Sequence, residues 1–230
     1  MKEKAKIYQY IHYNMAVCGG FLGAYAILNR CDVLGNAQTS NLIYLAMSII
    51  GRDAKQVIIR IGAMLLYMLA TMLTVLIPKY TKWNLRAVSV LIDMLAVCIL
   101  SFLPQEMDNI IALYPIFFAM AFQWNTFANL CEYVSSTIFS TNNVRQMSIS
   151  FTKYICDRKE EDAKRGRFFA GVLLFYHIGV AISYFAWKAF GLKGVCVSLI
   201  PMISALWLIS YEAGWITFKQ RTVEENKKTY

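Results

Sequence analysis

Six long apolar stretches follow one another along this chain, and they constrain its fold more than any other feature. They lie near Ile7–Leu28, Gln56–Ile77, Leu85–Leu103, Asn109–Leu130, Phe168–Phe190 and Val195–Phe218. Each runs to about 20 residues, the length at which a helix rising ~1.5 Å per residue crosses a ~30 Å hydrocarbon layer. Inside that layer no water meets the backbone, so each stretch must satisfy its own N–H and C=O groups as a helix. Composition points the same way: 58% of the 230 residues are hydrophobic and 16% are charged, against about a quarter charged in soluble domains. The expected fold class is an all-α membrane protein with six transmembrane helices.

Pro78 and Pro104 fall at helix ends, where a missing N–H is tolerated, and Pro115 and Pro201 fall in first turns, where mild kinks are expected. Trp83, Trp187, Trp207 and Trp215 stand toward span ends, as interfacial aromatics do. Lys2, Lys4 and Lys6 ahead of the first stretch, with Ala24-Tyr25-Ala26 inside it, outline a secretion signal. Gln9, His12 and Asn14 interrupt that outline, and the stretch has a counterpart later in the chain. It reads as a retained first helix.

The basic residues set the orientation. Lys2, Lys4 and Lys6, the second loop (Lys79, Lys82, Arg86), the segment between helices four and five, and the tail (Lys219, Arg221, Lys227, Lys228) together hold seventeen of the 23 Lys and Arg. Arg30, Arg52, Lys55, Arg60, Lys188 and Lys193 fall on the other side. The excess places both termini in the cytoplasm. Spread over loops in this way, the net charge of +9 calls for no nucleic acid. Residues 157–165 mix both signs and read as a solvated cytoplasmic link.

The chain also repeats itself. Asn36-Ala37-Gln38-Thr39-Ser40-Asn41-Leu42 follows helix one, and Phe139-Ser140-Thr141-Asn142-Asn143-Val144 follows helix four. Setting Thr39 on Thr141, an offset of 102, brings Asn41 onto Asn143 and Leu42 onto Val144. Each cluster leads into a short apolar segment (Leu42–Ile50 and Val144–Ile155) and then two further spans. Three crossings per half is an odd number, so the halves oppose each other in the membrane, on the inverted-repeat plan of many secondary transporters. The expected units are residues 1–104, residues 105–218, and a cytoplasmic tail of residues 219–230.

The stretch Gly19-Gly20-Phe21-Leu22-Gly23-Ala24-Tyr25, followed by Asn36-Ala37-Gln38-Thr39-Ser40-Asn41, resembles the first signature of the YoaK-like family of bacterial integral membrane proteins. Gln123 with Ser136-Thr137-Ile138-Phe139-Ser140-Thr141-Asn142-Asn143-Val144-Arg145 is similar to the second. The resemblance covers nearly the whole chain and implies a bacterial cell (inner) membrane protein, in a family whose biochemical role is poorly defined. Gly23 stands where that family usually has aspartate, and Ser40 and Asn142 stand where it has glycine.

Two readings of the paired clusters remain open. Gln38, Thr39, Ser40 and Asn41, with Thr141, Asn142 and Asn143, can simply cap the short helices. If those helices dip into the membrane, their N-termini offer free amides and partial positive charge to a polar or anionic solute. Gln123 would line such a site and Arg145 would add positive charge from the cytoplasmic side. Asn125 is expected to face inward beside Gln123. Asp93 lies ~12 Å along helix three and Arg60 ~9 Å along helix two, so a long arginine bridges most of their difference in depth. A lone mid-membrane charge costs at least ~2.5–3.5 kcal/mol, which makes an Arg60–Asp93 ion pair the plain structural expectation and proton coupling the sharper one. His177 is expected to bond a neighbouring helix, with a proton relay as the alternative. Gly19 and Gly23 have GxxxG spacing, which suits close helix packing.

Cys18, Cys31, Cys98, Cys131, Cys156 and Cys196 form no CxxC pair and no cluster with histidine, so neither a disulfide framework nor a metal site is expected. No nucleophile motif, HExxH, P-loop or dinucleotide fingerprint occurs, so no enzyme and no cofactor are expected. The expected function is a carrier or channel for a small polar or anionic solute, with the lipid bilayer as the other partner. The alternative is a non-transporting scaffold or regulatory subunit.

Overall fold

The computed structural model describes residues 2–30, 34–36 and 38–215. Cys31, Ala37 and the expected tail at residues 219–230 lie outside the described residues. Among those described, every regular element is helical. In chain order these are α1 (Lys2–Asn29), α2 (Thr39–Ile50), α3 (Ala54–Tyr80), α4 (Leu85–Phe102), α5 (Asn109–Ala112), α6 (Tyr114–Phe127), α7 (Thr141–Asp157), α8 (Glu160–Phe190) and α9 (Leu199–Glu212). A 3-10 segment, Gly191–Ser198, joins the last two.

Among the described residues four stretches are long and apolar enough to cross a membrane: Lys4–Asn29, Ala54–Tyr80, Leu85–Phe102 and the 53 residues Glu160–Glu212. The last is interrupted at Gly191, whose φ of +56° suits a residue without a Cβ. The expected single span Asn109–Leu130 is broken into α5 and the 14-residue α6. Pro115 is the cause: it has no N–H to donate back to Ile111 and it disfavours helical backbone at Tyr114. In the last expected span, the first turns are 3-10 rather than α, and α9 ends at Glu212.

Local chemistry sets the helix starts. The Asp53 side chain accepts from the Gln56 amide, Asn84 from Arg86 and Ala87, and Asp108 from Ile110 and Ile111, which satisfies amides that lack an intrahelical partner. Glu160, Glu161 and Asp162 fill the first turn of α8, where negative charge meets the positive end of the helix dipole. That first turn carries α8 eight residues upstream of the expected boundary at Phe168.

The core forms around α1. Ile11, Met15, Cys18, Phe21, Leu22 and Tyr25 are buried there against α6 residues such as Phe117 and Met120 and α9 residues such as Met202 and Ile209. The most extensive helix contact is α1 on α8, where Gly20 and Gly179 bring each helix onto the other's backbone. A methyl on Gly20 would overlap the Tyr176 carbonyl, and one on Gly179 the Val17 carbonyl. Gly19, of the expected packing pair, lies against the loop carbonyl of Thr137, and Gly23 lies against the Asn36 amide of the first loop and the Tyr176 hydroxyl of α8.

Helix partners recur in matching pairs: α1 on α8 and α6 on α3; α2 on α3 and α7 on α8; α9 on α1 and α4 on α6. At one end of the bundle Glu212 receives Lys4 at 2.9 Å, Arg86 at 2.8 Å and the Tyr8 hydroxyl at 2.9 Å. At the other end of α1 the buried Arg30 donates to the carbonyls of Pro104 at 3.1 Å and Gln105 at 3.0 Å. The outward faces are apolar: Leu65, Leu69, Met72 and Val75 of α3, Leu91 and Leu95 of α4, and Leu174, Ile178, Ile182 and Phe185 of α8 are exposed. An apolar exterior of that extent matches a bilayer as solvent.

Candidate functional site

The two polar motifs place themselves through their third helical residues. Gln38 and Ser140 stand at the N-caps of α2 and α7, and neither side chain caps an amide. Asn41 and Asn143, both buried, reach back instead. The Asn41 amide donates to Gln38 Oε1 at 2.9 Å and to the Arg60 carbonyl at 3.0 Å. The Asn143 amide donates to the Ser136 carbonyl at 2.7 Å and the Phe139 carbonyl at 3.4 Å, while its Oδ1 accepts from the Ser136 amide at 3.3 Å.

The loops that lead into these helices meet inside the bundle. Asn36, fully buried, donates to the Gly19 carbonyl at 3.0 Å and to the Ile138 carbonyl at 2.6 Å, across a separation of 102 residues. That separation equals the offset that sets Thr39 on Thr141. Beside them the Gln123 amide donates to Thr137 Oγ1 at 2.8 Å and to the Met15 carbonyl at 3.0 Å. Ser135 Oγ lies 2.5 Å from His12 Nε2, and residues Ser135 to Ile138 are all buried.

At this junction Asn36 Oδ1 and Gln123 Oε1 have no hydrogen-bond partner among the described residues, and elsewhere in the bundle the same holds for Gln38 Nε2, Ser140 Oγ and Tyr25 Oη. Each costs free energy unless something pairs with it. Each short helix is also clasped by an arginine of the long helix that follows. The Arg60 guanidinium stacks 4.7 Å from the Tyr44 ring, and Arg165 Nη2 donates to Gln146 Oε1 at 2.8 Å. Tyr44 and Gln146 are again 102 apart in sequence. The Nε atoms of both arginines are buried and unpartnered among the described residues.

Of the expected site residues the structure buries Asn41, Gln123 and Asn143 and half-buries Gln38; Gln123 and Asn143 bond the second loop, whereas Asn41 bonds Gln38 and the α3 backbone. Ser40 and Asn142 are half-buried, and Thr39, Thr141 and Arg145 are exposed, so Arg145 does not enter the interior. The expected Arg60–Asp93 ion pair does not form. Arg60 points toward α2, where Asn41 Oδ1 lies 3.5 Å from it, while Asp93 is fully buried on α4 with neither oxygen partnered among the described residues. The reason is helix placement: the face of α3 that carries Arg60 packs on α2, whereas α4 packs chiefly on α6 and α9.

His177 also departs from expectation. It is exposed, and its Nδ1 lies 2.7 Å from the Leu173 carbonyl of its own helix rather than a neighbour's. Asn125 is exposed as well, and its amide donates to the Ala121 carbonyl at 2.8 Å and across to Thr71 Oγ1 of α3 at 3.4 Å, an interhelical bond. Among the described residues no group of three His, Cys, Asp or Glu side chains is placed to hold a metal ion. Asn36, Ser135 and His12 were not expected in the site. Asn36 opens the first motif, but its reach to Ile138 depends on loops that are far apart in sequence.

A family model described as a protein of unknown function, DUF1275, matches residues 11–209. That match is consistent with the resemblance to YoaK-like membrane proteins. Neither the curated proteins nor the solved structures contain a match to this chain.

Proposed function

This chain belongs to the DUF1275 family of proteins of unknown function, and we propose that it works there as a membrane carrier for a small polar or anionic solute. The observation that carries the proposal is the bond between Asn36 and Ile138. A residue that touches its own repeat mate lies on the axis relating the two halves, as in any isologous contact. The paired helix contacts and the two arginine clasps support the same relation. On this reading residues 1–104 and 105–218 are inverted halves of three crossings each.

The meeting of Lys4, Arg86 and Glu212 at one end supports six crossings, because it gathers the starts of α1 and α4 and the end of α9. With the excess of basic residues on that side, that end is cytoplasmic and the membrane is the cell membrane. The solute site lies where the two loops meet, between the starts of α2 and α7, with Gln123 as its wall. Secondary transporters place substrate at such an interface, where irregular backbone is sheltered by protein. Asn36 Oδ1 and Gln123 Oε1 offer unpartnered acceptors there to the N–H or O–H groups of a polar solute. The described state is the closed one, and transport requires the loops to part. The role is that of a carrier, not an enzyme.

A second reading is a non-transporting scaffold, and one observation favours it. The amides of Asn36, Asn41 and Asn143 are bonded to backbone carbonyls in a buried interior, which also describes a structural clamp. A thermal-shift screen of the purified chain against small metabolites and anions separates the two. A ligand at 100 times its Kd stabilises the fold by roughly 2.7 kcal/mol. The carrier reading expects a hit that disappears in Gln123→Met, which keeps the side-chain volume and removes the polar atoms, and flux of that solute into vesicles. A cooperative melt with no shift across the library and no flux leaves the scaffold.

A further inference from the structure

Asp93 is the one fully buried acidic side chain among the described residues, and neither the solute site nor the ion pairs of the bundle engage it. Both of its carboxyl oxygens are without a hydrogen-bond donor among the described residues. One turn earlier on the same helix Ser89 is also fully buried, and its hydroxyl is likewise unpartnered. Residues at i and i+4 share a helix face, with Cβ atoms about 5–6 Å apart. The pair therefore forms a small polar spot on α4, which packs on α6, α9 and the 3-10 segment.

Among the described residues no cation pairs with it. Arg30 is spent on the Pro104 and Gln105 carbonyls, Arg60 on Asn41 and Tyr44, Arg86 on Glu212, and Arg165 on Gln146. From α1, Cys18 is within electrostatic reach. From α6, the titratable group is Tyr114, whose hydroxyl donates to the Ile59 carbonyl. From α9, Tyr211 is exposed and Glu212 is held by Lys4 and Arg86 at the bundle's end. The 3-10 segment brings Lys193 and Cys196, both exposed, and α3 brings Tyr67, which packs near Ile92. An ionised carboxylate in such a place lacks both solvent and counter-charge, so the neutral acid is the form the site accommodates.

We propose that Asp93 is an intramembrane proton-binding site, its carboxyl taking up the proton on a buried face of α4 that it shares with the Ser89 hydroxyl. The proton enters from water as the carboxylate becomes the acid, and it returns to water when the bundle opens beside α4. On the carrier reading, on which this further step rests, the proton is the coupling ion. Burial of the neutral acid in the closed state then links proton occupancy to closure of the loops.

Difference infrared spectroscopy of the full chain in lipid vesicles tests the site directly. At neutral pH the wild type is expected to show a carboxylic-acid carbonyl band that is lost in Asp93→Asn and kept in Glu106→Gln, a change in an exposed loop. The band should shift in heavy water and disappear as pH is raised, and Ser89→Ala should shift its frequency without removing it. Should Asp93→Asn fail to fold, the Ser89→Ala shift carries the assignment. An absent band at neutral pH overturns the proposal, and so does a band that neither exchanges in heavy water nor titrates. If the band behaves as expected while no solute moves, the proton site stands and the carrier reading falls. If solute moves and the band is absent, the carrier reading stands and the proton site falls.

Discussion

Replacing Asn36 by alanine removes the contact that joins the two loops, and the cost can be worked from its two bonds. Asn36 is 0% exposed and donates to Gly19 at 3.0 Å and Ile138 at 2.6 Å. The Gly19 carbonyl lies within α1 and keeps its helical partner, so losing the second bond costs about 0.5–1.5 kcal/mol. The Ile138 carbonyl belongs to a loop and has no helical partner to fall back on, so leaving it buried and unpaired costs about 1–3 kcal/mol. Together these come to roughly 1.5–4.5 kcal/mol. Side-chain bonds between membrane helices average only ~0.6 kcal/mol, which would give little more than 1 kcal/mol for the two. The higher figure follows from the loop position of Ile138, since the usual discount reflects partners found within helices. The assay is reversible unfolding in mixed micelles. The control is Asn29→Ala, whose amide bonds the Tyr25 carbonyl of its own helix. If Asn36→Ala unfolds within about 0.5 kcal/mol of Asn29→Ala, the loop junction is not the clamp described here and an axis at Asn36 loses its energetic support.

Gly20→Ala and Gly179→Ala each drive a methyl into a carbonyl across the α1–α8 contact, and each should destabilise by about 1–3 kcal/mol in the same assay. Glu212→Gln should lower the melting temperature clearly more than Lys4→Gln, because the Glu212 side chain is 6% exposed and gathers two cations whereas the Lys4 side chain is 61% exposed. His177→Leu should leave thermal stability close to wild type, since His177 is exposed and its ring bonds a carbonyl of its own helix. In a variant without native cysteines, Arg52→Cys and Glu106→Cys should react with an impermeant maleimide in intact cells, and Lys82→Cys and Glu161→Cys only after permeabilisation. The reverse pattern would overturn the proposed orientation.

Apolar runs near 20 residues are a local property, so the all-helical membrane character could be read directly from the sequence. So could the capped starts at Asp53 and Asn84, because caps act over two or three residues. The break before Pro115 was legible only as a kink, since whether proline bends or divides a helix depends on what packs around it. Gln123, Asn41 and Asn143 were marked by their motif, and the structure buries all three. The motif was silent about depth, and Arg145 and Thr141 turned out exposed because a helix shows only part of its surface to its neighbours. Asp93 and Arg60 looked like partners because their depths were similar. Depth is a coordinate along one axis, and only tertiary packing sets the rotation of each helix about it. That packing turned Arg60 toward α2 and left Asp93 alone on α4. The junction of Asn36 with Ile138 is of the same kind: the repeat offset is written in the sequence, but the meeting of the two loops depends on how α1, α6 and α8 pack.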